Sequence, residues 1–248
     1  MAERWFPKPE VLEKTAGMHR FVWNLAWGSS GGPSADEDSE YRNPSGPKAV
    51  PGIYQVRLTV DGKAQNQSLK VIMDPRSPAT PEELTQQLQL GRQIFGETIE
   101  ARRTLAEIGS VQKQLGDIQQ KLGQQNLGAQ SAQLKSALDE ARSGIGKILA
   151  NKVVVNTEHA TEEGPGLEEA YAGLASALRA VESGDRAVPS QAIAVYTESS
   201  QQVKARIAEW ARFKQTRLAQ LNQQLHDANL APIAISEMEQ QIEFLMSR

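Results

Sequence analysis

The side chains with which this chain could do chemistry are 30 carboxylates and three histidines, with no cysteine. Without cysteine there is no disulfide, no thiolate metal site and no sulfur nucleophile. His19, His159 and His226 lack the His-x-x-x-His spacing that brings two imidazoles to one zinc ion. They fall in an expected strand, a polar loop and a helix end, and each reads as a surface or helix-end histidine. His226 would there complement the helix dipole. Asp36, Asp38 and Glu40 alternate beside Glu37, a spacing of oxygen ligands that suits calcium. The EF-hand glycine and its closing glutamate are missing, so solvated loop charge is the expectation. A glycosidase needs two opposed carboxylates, and the sequence nominates no pair. Glu162-Glu163 and Glu168-Glu169 read as solvated or first-turn residues of a helix. Nucleophile-elbow, P-loop and dinucleotide motifs are absent. Ser29-Ser30-Gly31-Gly32 precedes no helix start, so it is no phosphate cradle. No catalytic, cofactor-binding or metal-binding residue is expected, and no cofactor. One recognition chemistry remains: Trp5, Trp23, Trp27 and Tyr54 could stack on sugar rings if they share an exposed face, although such aromatics more often form sheet core.

The elements that must position these residues divide at about residue 80. Residues 1–79 hold eight of the 12 prolines and seven of the 13 aromatic residues. The remainder is rich in glutamine and in regular apolar spacing. The formal net charge is −3, which excludes a globally basic nucleic-acid binder. No apolar run approaches the roughly 18 residues of a membrane span. MAERWFPKPE lacks the apolar core of a signal peptide, so the chain is expected to be cytoplasmic if Met1 is the true start.

The fold class expected is α+β: a small antiparallel, partial Ig-like sheet followed by an antiparallel four-helix bundle with long helices. Met18–Ala26 reads as a strand with Phe21, Trp23 and Leu25 on one face. Tyr54, Val56, Leu58 and Val60 alternate in a second strand. Asp61-Gly62 suits a type I′ turn, and Leu69, Val71 and Met73 alternate on the return. Arg4–Phe6 is a fourth candidate. A long Gly/Pro/Ser-rich loop, 29–52, separates the first strand from the hairpin. Three strands with open edges fall short of the seven or so of a sandwich. Residues 80–248 read as helices over about 81–122, 126–150, 166–183, 190–228 and 235–246. Thr80-Pro81-Glu82-Glu83 is a capping-box start. Apolar residues recur at spacings of 3 and 4 or of 7, from Ile94 through Leu122, Leu127 through Ile148, Leu167 through Val181 and Tyr196 through Leu225. Lys214 interrupts the last stripe, with its stem expected on apolar surface and its ammonium in water. Val153–Val155 reads as strand-like or as a frayed helix end.

Several segments also resemble a known arrangement. AGMHRFVWNLAW (16–27), AVPGIYQVRLTVDGK (49–63) and SLKVIMDPR (68–76) are similar to an Ig-like C-terminal segment of large bacterial proteins. Upstream those proteins carry sortilin/Vps10-like, BNR-repeat β-propellers, and they are labelled glycosyl hydrolases or sialidase-like. AVESGDRAVPSQAIAVYTE (180–198) and LNQQLHDANLAPI (221–233) resemble the helical continuation of the same tails. The resemblance covers most of residues 14–233. It implies a non-catalytic accessory module of an exported glycosyl hydrolase-like protein, with the upstream propeller as its partner and an extracytoplasmic location. No residue matches a propeller catalytic motif, so none is carried over. Two alternatives stand beside it: a carbohydrate-binding module built on the aromatics above, and a module for homo-oligomerisation through the helices.

Overall fold

The computed structural model describes residues 15–27, 46–124, 129–149 and 165–235. It is α+β. A two-stranded antiparallel sheet, β1 (Gly52–Val60) and β2 (Lys63–Val71), precedes the helices α1 (Pro81–Gln124), α2 (Ala129–Leu149), α3 (Leu167–Val181) and α4 (Ser190–Phe213). A π-helical turn, Lys214–Leu218, joins α4 to α5 (Ala219–Asp227), so the chain runs helically from Ser190 to Asp227.

The hairpin closes where both turn residues accept positive φ: Asp61 at +48° and Gly62 at +77°. This is the requirement of a type I′ turn. Register follows directly, with Val60 opposite Lys63, Val56 opposite Gln67 and Tyr54 opposite Leu69.

Met18–Ala26 does not form the strand expected of it. Leu25 takes a left-handed φ of +63°, which breaks an extended run. The indole N–H of Trp23 donates to the Ala26 carbonyl at 3.1 Å, and the Ala26 N–H donates to Asn24 Oδ1 at 2.9 Å. These local bonds use groups that a ladder would need. A single bridge, Ala26 to Lys48, is what remains of the pairing. With the extended run broken at Leu25, the alternation that would put Phe21, Trp23 and Leu25 on one face is lost, and Phe21 and Leu25 are exposed. Arg4–Phe6, most of loop 29–52, Val153–Val155 and the expected helix 235–246 lie outside the described residues, except for Ile235 at its start.

The helix α1 begins as its capping box dictates. Glu83 N–H donates to Thr80 Oγ1 at 3.2 Å, and Thr80 N–H donates to the Glu83 carboxylate at 2.8 Å. Its 44 residues span about 66 Å at 1.5 Å per residue. Along it Ile94, Ala101, Ile108, Leu115 and Leu122 are buried, facing Leu138, Ile145 and Ile148 of α2 and Leu167, Leu174 and Leu178 of α3 in one continuous core. The helix α3 packs on both α1 and α4, and α2 packs on α1, α4 and α5. The approach of α3 to α4 is close because Gly173 lies against Ser199; a Cβ there would sit 2.1 Å from Ser199 Oγ. Gly144 of α2 admits the Phe213 ring in the same way, at 2.9 Å.

The fourth rod ends at Asp227, one residue from the expected 228. Asn229 takes φ +55°, Leu230 N–H reaches the Leu225 carbonyl at 2.8 Å and Asn229 N–H reaches the His226 carbonyl at 3.0 Å. That is a Schellman motif with asparagine in the left-handed position.

Candidate functional site

Two polar clusters lie between α1 and the α4 rod. In the first, Glu97 Oε1 accepts from Tyr196 Oη at 3.0 Å and from Lys204 Nζ at 2.9 Å. Lys204 Nζ also donates to Ser200 Oγ at 2.9 Å, one turn away. A serine beside a lysine is the pairing of a nucleophile with a base. Here it cannot act as one. The Glu97 carboxylate holds the Lys204 amine above its ordinary pKa, hence protonated and unable to take a proton. Ser200 is buried, and its own helical backbone N–H is committed to the ladder and so cannot serve as an oxyanion donor. Burial pushes Glu97 up, yet the hydrogen bonds from Lys204, Ser200 and Tyr196 prevail and its pKa lies below the usual carboxylate value.

The second cluster surrounds Glu107. Its Oε2 accepts from the Trp210 indole at 3.1 Å and from Lys214 Nζ at 3.0 Å, and Lys214 also stands 5.8 Å over the Trp210 ring. The expected solvated ammonium of Lys214 is therefore paired with α1. It starts the π-turn, whose extra residue carries the stripe from Phe213 across five positions to Leu218. Both clusters tie helices together.

A third arrangement joins the β part to the helices. Glu182, just past α3, accepts the Lys48 N–H at 2.9 Å, while Ser77 Oγ donates to the Asp185 carbonyl at 2.9 Å. Gln87 of α1 donates to the carbonyls of Val181 and Gly184. Burial raises the Glu182 pKa, the Lys48 amide only partly offsetting it. The neighbouring cleft, lined by Leu25, Val71, Met73, Leu84 and Glu182 among others, holds about 90 Å³. A polar groove between α2 and α5, with Glu140, Arg217 and Gln224, holds about 230 Å³. Neither reaches the roughly 300 Å³ of a small-molecule site. Among the described residues no group of three or more acidic or histidine side chains could hold a metal ion, and no helix is long and apolar enough to cross a membrane.

The feature that stands out is the hairpin. Alternation puts Tyr54, Val56, Leu58 and Val60 of β1 on one face with Lys63, Gln65, Gln67, Leu69 and Val71 of β2, and Ile53, Gln55, Arg57 and Thr59 with Ala64, Asn66, Ser68 and Lys70 on the other. Val56, Leu58 and Val60 are 50%, 54% and 56% exposed. Among the described residues the hairpin approaches the helices at its root, where Val71 lines the cleft beside Leu84 of α1. Among the described residues neither outer edge has a strand partner.

The aromatics proposed for sugar stacking are dispersed in role. Trp23 and Tyr54 meet edge to face, with centroids 5.8 Å apart, and Tyr54 Oη donates to the Val50 carbonyl at 2.6 Å. Trp27 carries the Arg92 guanidinium 5.2 Å over its ring. Trp5 lies outside the described residues, as do His159, Asp36, Glu37, Asp38, Glu40, Glu162 and Glu163. His19 is exposed and bonds the Thr15 carbonyl at 2.6 Å, and His226 is in the last turn of α5.

Sequence reasoning missed the Glu97 and Glu107 clusters. Their signal was present as Tyr196 and Lys214 within an otherwise apolar stripe, but the partner acid on α1 could not be picked from 30. Compared with protein-family models, curated proteins and solved structures, the chain matches none of them.

Proposed function

We propose that this chain is a non-catalytic interaction module, whose β-hairpin docks against a β-domain of a longer exported protein of the BNR-repeat, glycosyl hydrolase-like kind. The observation that carries this is the hairpin's apolar face. Two strands alone are marginal in water, and the row Tyr54, Val56, Leu58 and Val60 with Leu69 and Val71, bordered on the same face by Lys63, Gln65 and Gln67, offers an apolar strip to a second sheet. On this reading the hairpin is one corner of an Ig-like sandwich completed by upstream strands. The helices are then a four-helix bundle that serves as a rigid support, with an extracytoplasmic location following from the parent. The sequence likeness of residues 16–27, 49–63 and 68–76 to such tails supports it.

The test has two arms. The genomic frame upstream of the Met1 codon is read first. An open frame running into aspartate-box propeller repeats supports the proposal, and an in-frame stop with a ribosome-binding site nearby overturns it. The upstream portion and this chain are then co-expressed as separate polypeptides. They are expected to co-purify, and Leu58→Lys, on the docking face, is expected to separate them while Arg57→Ser, on the opposite face, does not. Loss with both or neither would remove the face from consideration.

A further inference from the structure

Beyond α5 the chain does not simply leave the helices. Residues 231–235 run back over the core between α1 and α5 as an extended segment, gripped from both sides. Asn222 of α5 holds both backbone groups of Ile233: Nδ2 donates to the Ile233 carbonyl at 3.1 Å, and Oδ1 accepts the Ile233 N–H at 2.8 Å. Gln114 of α1 does the same for the next residue, with Nε2 donating to the Ala234 carbonyl at 2.7 Å and Oε1 accepting the Ala234 N–H at 2.9 Å. Successive residues of an extended chain point their backbone groups to opposite sides. Two side-chain amides on two helices therefore complete the ladder that flanking strands would supply. Between them Ile233 is 4% exposed and part of the core. Pro232 holds Ala231 in the extended region, so the segment is pre-shaped for the groove.

This is the recognition chemistry of a peptide site: backbone read by paired amides, and one β-branched anchor in an apolar pocket. The segment follows a tight turn at Ala228–Leu230, and Leu230 and Ile235 pack against the core on either side of Ile233. We propose that the groove between α1 and α5 is a site for an extended Pro-Ile-Ala segment, and that the chain's own tail exchanges with that of a second copy. In the monomer the tail is its own competitor, present at the millimolar effective concentration of a short tether. Exchange costs no new type of contact, which is why swapped elements are a low-cost route to dimers.

The test is complementation between two full-length variants. One carries Gln114→Leu with Asn222→Leu, which disables the groove and leaves the tail intact. The other carries Ile233→Asp, which disables the tail and leaves the groove intact. Each alone is expected to remain monomeric by sedimentation and native mass spectrometry. Mixed at about 100 µM, within the reach of a contact of this size, they are expected to form a one-to-one heterodimer. Excess synthetic peptide spanning residues 230–235 is expected to dissolve it. A mixture that stays monomeric overturns the proposal, and so does a heterodimer that the peptide leaves intact. Circular dichroism checks that both variants keep their helices. If either fails, the single changes Gln114→Leu and Ala234→Pro decide the same question, since each removes one clamp and leaves the Ile233 pocket unaltered.

Discussion

At the scale of single residues, what the chain uses carboxylates for is cross-bracing. Glu107 takes both the Trp210 indole and the Lys214 ammonium at hydrogen-bond distance. Glu107→Ala would leave two part-buried donors without an acceptor. Unsatisfied donors of this kind cost about 1–3 kcal/mol, so urea denaturation is expected to show a loss in that range. The changes at Glu107 and Lys214 are also expected to be strongly non-additive, because they share one interaction. Gly173 is braced differently, by having no side chain. A methyl group there meets Ser199 Oγ at 2.1 Å and its Cβ at 3.1 Å. Gly173→Ala is expected to cost about 1–3 kcal/mol by overpacking, even though alanine favours helix by about 1 kcal/mol over glycine. The companion change Ser199→Gly is expected to restore most of the loss. Two partly buried acids, Glu182 and Glu97, pull the pH dependence in opposite directions. The Glu182 pKa is raised, so its folded form binds protons more tightly than the unfolded chain, and stability falls as pH rises through that value. The Glu97 pKa is lowered, so its contribution is present above the ordinary value of 4.5 and is lost as pH falls below it. On acidification from pH 7, Glu182→Gln is expected to gain less Tm than the unchanged chain in the window above 4.5. Glu97→Gln is expected to lose less than the unchanged chain below it. Parallel Tm profiles in either case would reject the assignment.

At the scale of elements, legibility tracked how local the determining physics was. The start of α1 at Pro81 rests on Thr80 and Glu83 alone, and the hairpin turn on Asp61-Gly62 alone, so both could be read from neighbours in sequence. The 3-and-4 spacing told which residues of each helix would be buried, because one helix face meets one core. Met18–Ala26 misled for the converse reason. Its aromatic and β-branched residues favour a strand only where a partner strand exists, and Asn24 with the Leu25 conformation diverted the backbone into a local turn. The end of α5 at Asp227 fell within one residue of the expected 228, and Asn229 in the left-handed position closes it. The π-turn was half legible. The apolar stripe jumps five positions from Phe213 to Leu218, a spacing that an α-helix of 3.6 residues per turn cannot keep on one face. A π-turn absorbs one such extra residue. Deleting Gln215 shortens that jump to four, which an α-helix does keep in register. The deletion is accordingly expected to leave helical circular dichroism and a single cooperative unfolding transition. Deleting Arg206, where the spacing is already regular, is expected to abolish both the register of Ile207 through Phe213 and cooperative unfolding.

At the scale of the whole molecule, the described residues combine a core among the helices with an exposed apolar row on the hairpin. The apolar stripes of the helices are buried against one another, so the helices hold stability within the chain. The hairpin lies outside that core and meets the remainder at its root, through Lys48 with Glu182, Ser77 with Asp185, and Trp27 against Arg92. Local opening free energy follows buried contacts, so the two parts should differ greatly in protection. In native-state hydrogen exchange the amides of Gly52–Val60 and Lys63–Val71 are expected to exchange through local opening with little dependence on denaturant. Those of α1 around Ile94–Leu115 and of α3 are expected to exchange only with global unfolding. Substitutions should sort the same way. Ile108→Ala, fully buried, is expected to cost about 2–5 kcal/mol, whereas Leu58→Lys is expected to stay within about 0.5 kcal/mol, as exposed positions do. The docking reading adds a sharper requirement. When the β-domain it calls for is supplied, protection should appear at Val56, Leu58, Val60 and their cross-strand neighbours and leave the helix amides unchanged. Protection that rises in the helices instead would mean that the partner binds the support and not the hairpin.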